Sequence, residues 1–201
     1  MLDARLRRLI DPPLDRLGQA LAGTGLSANT ATLIGFAIGL GAMAAIASHA
    51  YALAIALILV NRLFDGLDGA LARQLGLTDL GGFLDILLDF IFYAGVPFAF
   101  ALADPATNAL PAAFLIFSFI GTGCSFLAFA IMAAKRGITT ELRGKKSLYY
   151  LGGLTEGSET IGAFVLACLL PAYFPIIAWL FGTLCWLTTT TRIIAAWQAL
   201  R

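Results

Sequence analysis

The chain has 201 residues, of which 60% are hydrophobic and only 12% charged, with 13 Lys and Arg against 12 Asp and Glu for a formal net charge of +1. A soluble domain carries about 25% charged residues and a nucleic-acid surface needs a strongly basic balance, so composition excludes both. A mean hydropathy of +0.88 places the chain in a bilayer, where spans of about 20 residues allow roughly six crossings and no separate soluble domain.

The pattern predicts an all-α integral membrane protein: residues 1–26 form an amphipathic juxtamembrane segment and residues 27–201 one six-helix membrane domain. In the first segment Leu2, Leu6, Leu9 and Ile10 share one side of a short helix that breaks at Pro12 and Pro13, then resumes with Leu14, Leu17 and Leu21. Arg5, Arg7, Arg8 and Arg16 take the polar side. Such a helix suits an anionic membrane surface or a partner helix. The segment lacks the uninterrupted apolar core of a secretory signal, which argues against cleavage and export.

Hydropathy places the spans near 29–48, 51–72, 80–103, 108–134, 154–172 and 174–196. The connections at His49-Ala50, Asp104 to Ala106 and Pro171 to Pro175 contain no Lys or Arg. With six spans, the basic residues before span one, Arg73, the Lys135 to Lys146 region and Arg201 all fall on the opposite side. The positive-inside rule makes that side cytoplasmic, so the expectation is a multi-pass protein of the cell's inner membrane with both termini and the active site inside. Cys124, Cys168 and Cys185 lie in apolar stretches without ligand spacing and read as small core residues.

Four aspartates break the apolar pattern in NRLFDGLDGALARQLGLTDLGGFLDILLDF. Asp65 and Asp68 are three apart and Asp85 and Asp89 four apart, so each pair projects from one face of its helix. A charged Asp within a span costs roughly 2.5–3.5 kcal/mol at the centre, so the cluster requires a compensating cation. Antiparallel packing of spans two and three makes the pairs face each other as an all-oxygen pocket for hard divalent ions. Gly66, Gly69, Gly81 and Gly82 flank the aspartates, either for close approach of a phosphate or as small residues for tight helix packing. Arg73, two turns beyond Asp65, serves as a phosphate grip or as a positive-inside anchor.

The run Asp65, Asp68-Gly69, Ala72-Arg73, Gly81, Asp85, Asp89 resembles the signature of the CDP-alcohol phosphotransferase family, class I. Seven residues, Gln74 to Leu80, separate Arg73 from Gly81, where the family usually has eight or nine. The resemblance implies transfer of a phosphoalcohol group, commonly phosphatidyl from CDP-diacylglycerol, to an acceptor hydroxyl with release of CMP, in phospholipid biosynthesis. It implies Mg2+ or Mn2+, as two ions, on Asp65, Asp68, Asp85 and Asp89, with Asp89 also the general base. Asn29, Thr32, Gly69, Arg73 and Thr78 match positions that contact nucleotide and phosphates, although Ala28 stands where the family has proline. The partners implied are the CDP-alcohol donor, a small alcohol, membrane lipids and a second copy in a homodimer. Gly95, Gly121 and Gly123 would permit close helix contact there.

On the acceptor side, Glu156 and Glu159 share a helical face at the start of span five and need partners, with Arg143, Lys145, Lys146 and Arg192 available. The segment resembles that of bacterial phosphatidylinositol-phosphate synthases, but Gly157 and Thr160 replace the arginines that hold the acceptor's phosphate. The acceptor is left open, and the basic loop meets either acceptor phosphate or lipid headgroups. The alternatives to the enzyme are a divalent-cation carrier built on the same aspartates and a catalytically lapsed protein that binds CDP-lipid.

Overall fold

The computed structural model describes residues 2–137 and 154–201, the first eight of them by backbone alone. The described residues are helical throughout: α1 (Leu2–Ala22), α2 (Ala28–Ala47), α3 (Tyr51–Leu75), α4 (Asp79–Ala103), α5 (Pro105–Lys135), α6 (Gly157–Leu169) and α7 (Phe174–Leu200), with a single 3-10 turn, Pro171–Tyr173, before α7. Short polar caps set the boundaries. The Ser27 hydroxyl accepts from Thr30 N to open α2, Asp104 accepts from Thr107 N to open α5, and Pro105 supplies the preset φ of the first turn. Gly76, at φ 105°, takes the left-handed conformation that turns the chain from α3 into α4.

Among the described residues, four helical segments are long and apolar enough to cross a membrane: Ala28–Ala47, Asp79–Ala103, Pro105–Lys135 and Pro171–Leu200. α3 has 25 residues but carries Arg62, Asp65, Asp68 and Arg73. α6, at 13 residues, is about 20 Å long against a hydrocarbon core of about 30 Å. Leu33, Leu59, Phe98, Leu110, Phe117 and Ile131 all point outward, as a lipid-facing surface requires.

One expectation is corrected here. α1 does not break at Pro12 and Pro13 but runs through both. Two prolines remove two backbone donors, yet the second half of α1 is held by α3: Leu14 is buried against Gly66, and Gly18 sits where a Cβ would come within 2.9 Å of the Ala70 Cβ. Tertiary packing outweighs the local penalty.

α2 packs on α3 and α4, α5 on α4 and α7, and α6 on α3. The main core gathers Ile46, Ile58, Phe92, Val96, Phe100, Phe119, Phe164 and Phe174. These come from the C-terminal halves of α2, α4 and α6 and the N-terminal halves of α3, α5 and α7, so they occupy one end of the bundle. Phe100 stacks on Phe174 with centroids 4.3 Å apart and on Tyr51 at 5.9 Å. Phe100→Ala is expected to cost about 3 kcal/mol, through the cavity left among these rings. Thermal unfolding in detergent should show a clearly lower Tm with activity retained at low temperature; an unchanged Tm would remove the ring stack as a source of stability.

The glycines expected to serve contact between copies are consumed inside the bundle. A Cβ on Gly95 would strike the Met43 side chain, one on Gly121 would lie 3.0 Å from Trp186, and one on Gly123 would lie 2.5 Å from Phe90. They let α2, α4, α5 and α7 approach one another within the chain.

Candidate active site

The end of the bundle opposite the aromatic core carries the charge. There the short turn at 76–78 joins α3 to α4, and α2 packs on both. The expected direct packing of the two Asp-bearing helices is replaced by their shared contact with α2, and long side chains bridge them. α4 starts at Thr78, whose hydroxyl accepts from Gly81 N at 3.0 Å, and this cap fixes the register that sends Asp85 and Asp89 toward α3.

Asp65, Asp85 and Asp89 each place a carboxylate oxygen within 4.8 Å of the others. Asp68, one turn along α3, lines the same cleft but turns to α2, where it accepts from Thr32 Oγ1 at 2.6 Å and is only 5% exposed. The donor set is entirely oxygen and clustered at ligand spacing, which fits a hard divalent ion.

Around this centre the structure distributes the other expected residues. Asn29 lies over the start of α4: a Cβ on Gly81 would come within 3.0 Å of its Oδ1 and 2.9 Å of Thr78 Oγ1. Gly69 faces Arg73, whose Nη1 would be 3.4 Å from an added Cβ. Gly66 belongs to helix packing, since Leu14 of α1 fills the space beside it. Arg73 turns to α1, with Nε and Nη2 donating to Asp15 Oδ1 at 3.1 and 2.6 Å.

Glu156 and Glu159 have a local task. Glu156 is the N-cap of α6, and Glu159 accepts from Glu156 N at 3.2 Å, completing a capping box. Thr155 just before them bonds Thr188 of α7. Arg192 Nη1 donates to the Thr122 carbonyl of α5 at 2.9 Å. Arg143, Lys145 and Lys146 lie outside the described residues.

Sequence reasoning missed Arg62 and Asn61. Arg62 Nη2 donates to Asp89 Oδ1 at 2.9 Å, Nη1 lies 3.5 Å from Asp65 Oδ2, and Nη1 also donates to the Tyr93 hydroxyl at 3.4 Å. Asn61 is buried and ties α3 to α2 through Gly35 O. The available signal was an arginine within the same apolar helix, three residues before Asp65, where a cation was already required.

Fold and site together define a helical membrane protein that gathers carboxylates from α3 and α4 into one all-oxygen cluster at metal-ligand spacing. The CDP-alcohol phosphatidyltransferase family model matches residues 25–194, and the chain belongs to that family of enzymes. It is 55% identical over 201 residues to "Inner membrane protein YnjF" of Escherichia coli (strain K12), covering 100% of this chain and 98% of that one. It is 31% identical over 194 residues to the archaetidylinositol phosphate synthase of Pyrococcus horikoshii, covering 96% and 95%. The fold is shared with Mycobacterium tuberculosis phosphatidylinositol phosphate synthase (PgsA1): the structure with CDP-DAG bound matches at a TM-score of 0.66 and 21% identity, over 92% of this chain and 93% of that one. The same protein in complex with manganese and citrate matches at a TM-score of 0.67 and 21% identity, over 92% and 88%.

Proposed function

We propose that this chain transfers a phosphatidyl group from a CDP-linked donor, such as CDP-diacylglycerol, to the hydroxyl of a small alcohol and releases CMP at the cytoplasmic face of the inner membrane. The observation that carries the reading is the convergence of Asp65, Asp85 and Asp89 on one point, with Asp68 in the same cleft.

The acceptor oxygen forms a bond to the phosphorus of the phosphatidyl group while the bond from that phosphorus to the oxygen of CMP breaks. Asp65, Asp68, Asp85 and Asp89 would hold Mg2+ or Mn2+, as two ions, which would supply the positive charge that neutralises the diphosphate and stabilises the departing CMP. Asp89 takes the acceptor proton. An ordinary carboxylate is a weak base for an alcohol, so alignment and electrostatics lead and proton removal follows late. Asn29 and Thr78, close together at the start of α4, with Thr32 and Gly69, which neighbour Asp68, hold the cytidine and its phosphates, and Arg73 grips the diphosphate from the surface of α3. Glu156 and Glu159, at the start of α6, serve the acceptor side, and Arg143, Lys145 and Lys146 of the basic segment that precedes them in sequence are assigned to the same side.

The same reading makes α2 to α7 six spans, with α1 as the juxtamembrane helix and both termini cytoplasmic. The charges on α3 are tolerated because Arg62 pairs with Asp65 and Asp89. The active form is a homodimer whose contact surface excludes Gly95, Gly121 and Gly123; light scattering on the purified protein should give twice 21.2 kDa.

Archaetidylinositol phosphate and phosphatidylinositol phosphate, the products named for two relatives, suggest inositol phosphate as the first acceptor to try. Gly157 and Thr160, in place of arginines, favour testing unphosphorylated alcohols beside it. The experiment is CMP release from CDP-diacylglycerol by purified protein with Mn2+ or Mg2+ and a panel of alcohols and alcohol phosphates. One acceptor should raise release well above background hydrolysis. Binding of CDP-lipid without CMP release for any acceptor would overturn the enzymatic reading.

A further inference from the structure

Carboxylates gathered within a bilayer call for a cation, and the chain already supplies one. Arg62 touches two of the three groups that stand at ligand spacing, Asp89 through Nη2 at 2.9 Å and Asp65 through Nη1 at 3.5 Å. The guanidinium is held from several directions. Nε donates to Asn61 Oδ1 at 2.9 Å, and Asn61 Nδ2 in turn donates to Gly35 O of α2 at 2.8 Å. The guanidinium carbon lies 5.0 Å from the centroid of Phe92 and 5.6 Å from that of Tyr93, both on α4. With its side chain 17% exposed, partners on both α3 and α4, and Asn61 beside it tied to α2, Arg62 has little freedom to withdraw. Nor does it lose its charge, since arginine stays protonated in proteins.

Each carboxylate has two oxygens, so a guanidinium fixed on one leaves the other for a metal. Ion and arginine therefore share Asp65 and Asp89, and they do so as like charges a few ångströms apart, where repulsion is poorly screened. Before the ion binds, the arginine relieves repulsion among the aspartates and keeps them gathered. Once it binds, the same positive charge opposes it.

We infer that Arg62 is a resident cation of the divalent-metal centre: it neutralises Asp65 and Asp89 in the metal-free protein and lowers the affinity of the site for the metal, keeping that ion exchangeable. The inference rests on the metal-dependent reading given above. Arg62 is a positioning residue in this role, acting on the reaction through the carboxylates and the ion they hold. A donor carrying a diphosphate restores the negative charge that the arginine has cancelled, so metal and donor reinforce each other's binding.

The test measures Mn2+ affinity of the purified protein by calorimetry and by the loss of the free-Mn2+ resonance, without lipid substrate. Arg62→Gln, which retains an amide to face Asn61, should bind Mn2+ at least about tenfold more tightly than wild type, because a repelling unit charge is gone. Arg62→Lys keeps the charge and should stay within about threefold of wild type. Equal or weaker binding by Arg62→Gln overturns the inference and leaves the enzymatic reading standing. Absence of Mn2+ binding by wild type and variant alike, with CDP present, sinks both. Should Arg62→Gln fold only with metal, it is purified in Mn2+ and titrated with chelator. Retention of Mn2+ at concentrations that strip the wild type supports the inference; release at the same or lower concentrations overturns it.

Discussion

Asp89→Asn is expected to reduce CMP release by about a thousandfold or more while leaving the helices intact, the loss that removal of a positioned proton acceptor typically causes. The structure makes this a clean substitution. Asparagine has the same shape and can still accept from Arg62 Nη2, so the tie between α3 and α4 at this level survives. What disappears is the negative charge, and with it both the acceptor of the alcohol's proton and one member of the carboxylate trio. Turnover with CDP-diacylglycerol and the best acceptor, compared at matched Tm, reads the effect. Activity within tenfold of wild type would strip Asp89 of its assigned part.

Stripping divalent ions should be equally severe. Four carboxylates and one guanidinium line the cleft, and the donor's diphosphate adds further negative charge. Two unit charges 5 Å apart at an effective dielectric of about 20 repel by about 3 kcal/mol, and several such pairs arise when the donor enters a site without metal. Dialysis against a chelator should bring CMP release to background, and Mg2+ or Mn2+ should restore it. Full activity after exhaustive chelation would dismiss the metal from the reaction.

Much of this architecture could be read before any coordinates. The apolar runs locate every helix from α2 to α7 within a few residues, because an uninterrupted apolar stretch of span length has few other solutions. The aspartates could be read for the converse reason: a carboxylate in such a stretch is costly enough to demand an explanation. What escaped depended on choices among partners. The pattern at Arg73 offers a phosphate grip or a surface anchor, and neither announces its bond to Asp15 of α1, 58 residues away in sequence. Glu156 and Glu159 looked like buried acids in want of cations, yet their three-residue spacing also satisfies the backbone donors at the start of α6. Glycines revealed that backbones approach closely but not which ones, and Gly95, Gly121 and Gly123 prove to face neighbours within the same chain. Pro12 and Pro13 announced a break that docking on α3 overrides.

The rings of Tyr51, Phe100 and Phe174 stack toward one end of the bundle, and the groups assigned to chemistry occupy the other, with Phe92 at the boundary between them. Enzymes usually face a trade-off because the residues that confer robustness overlap with those that must stay strained or mobile for turnover. Here the two demands fall on different stretches of the same helices. Heat tolerance can thus be raised by directed evolution at positions such as Val96 or Ile58 with little penalty in rate, and natural drift among the rings is free to proceed without altering which alcohol is chosen.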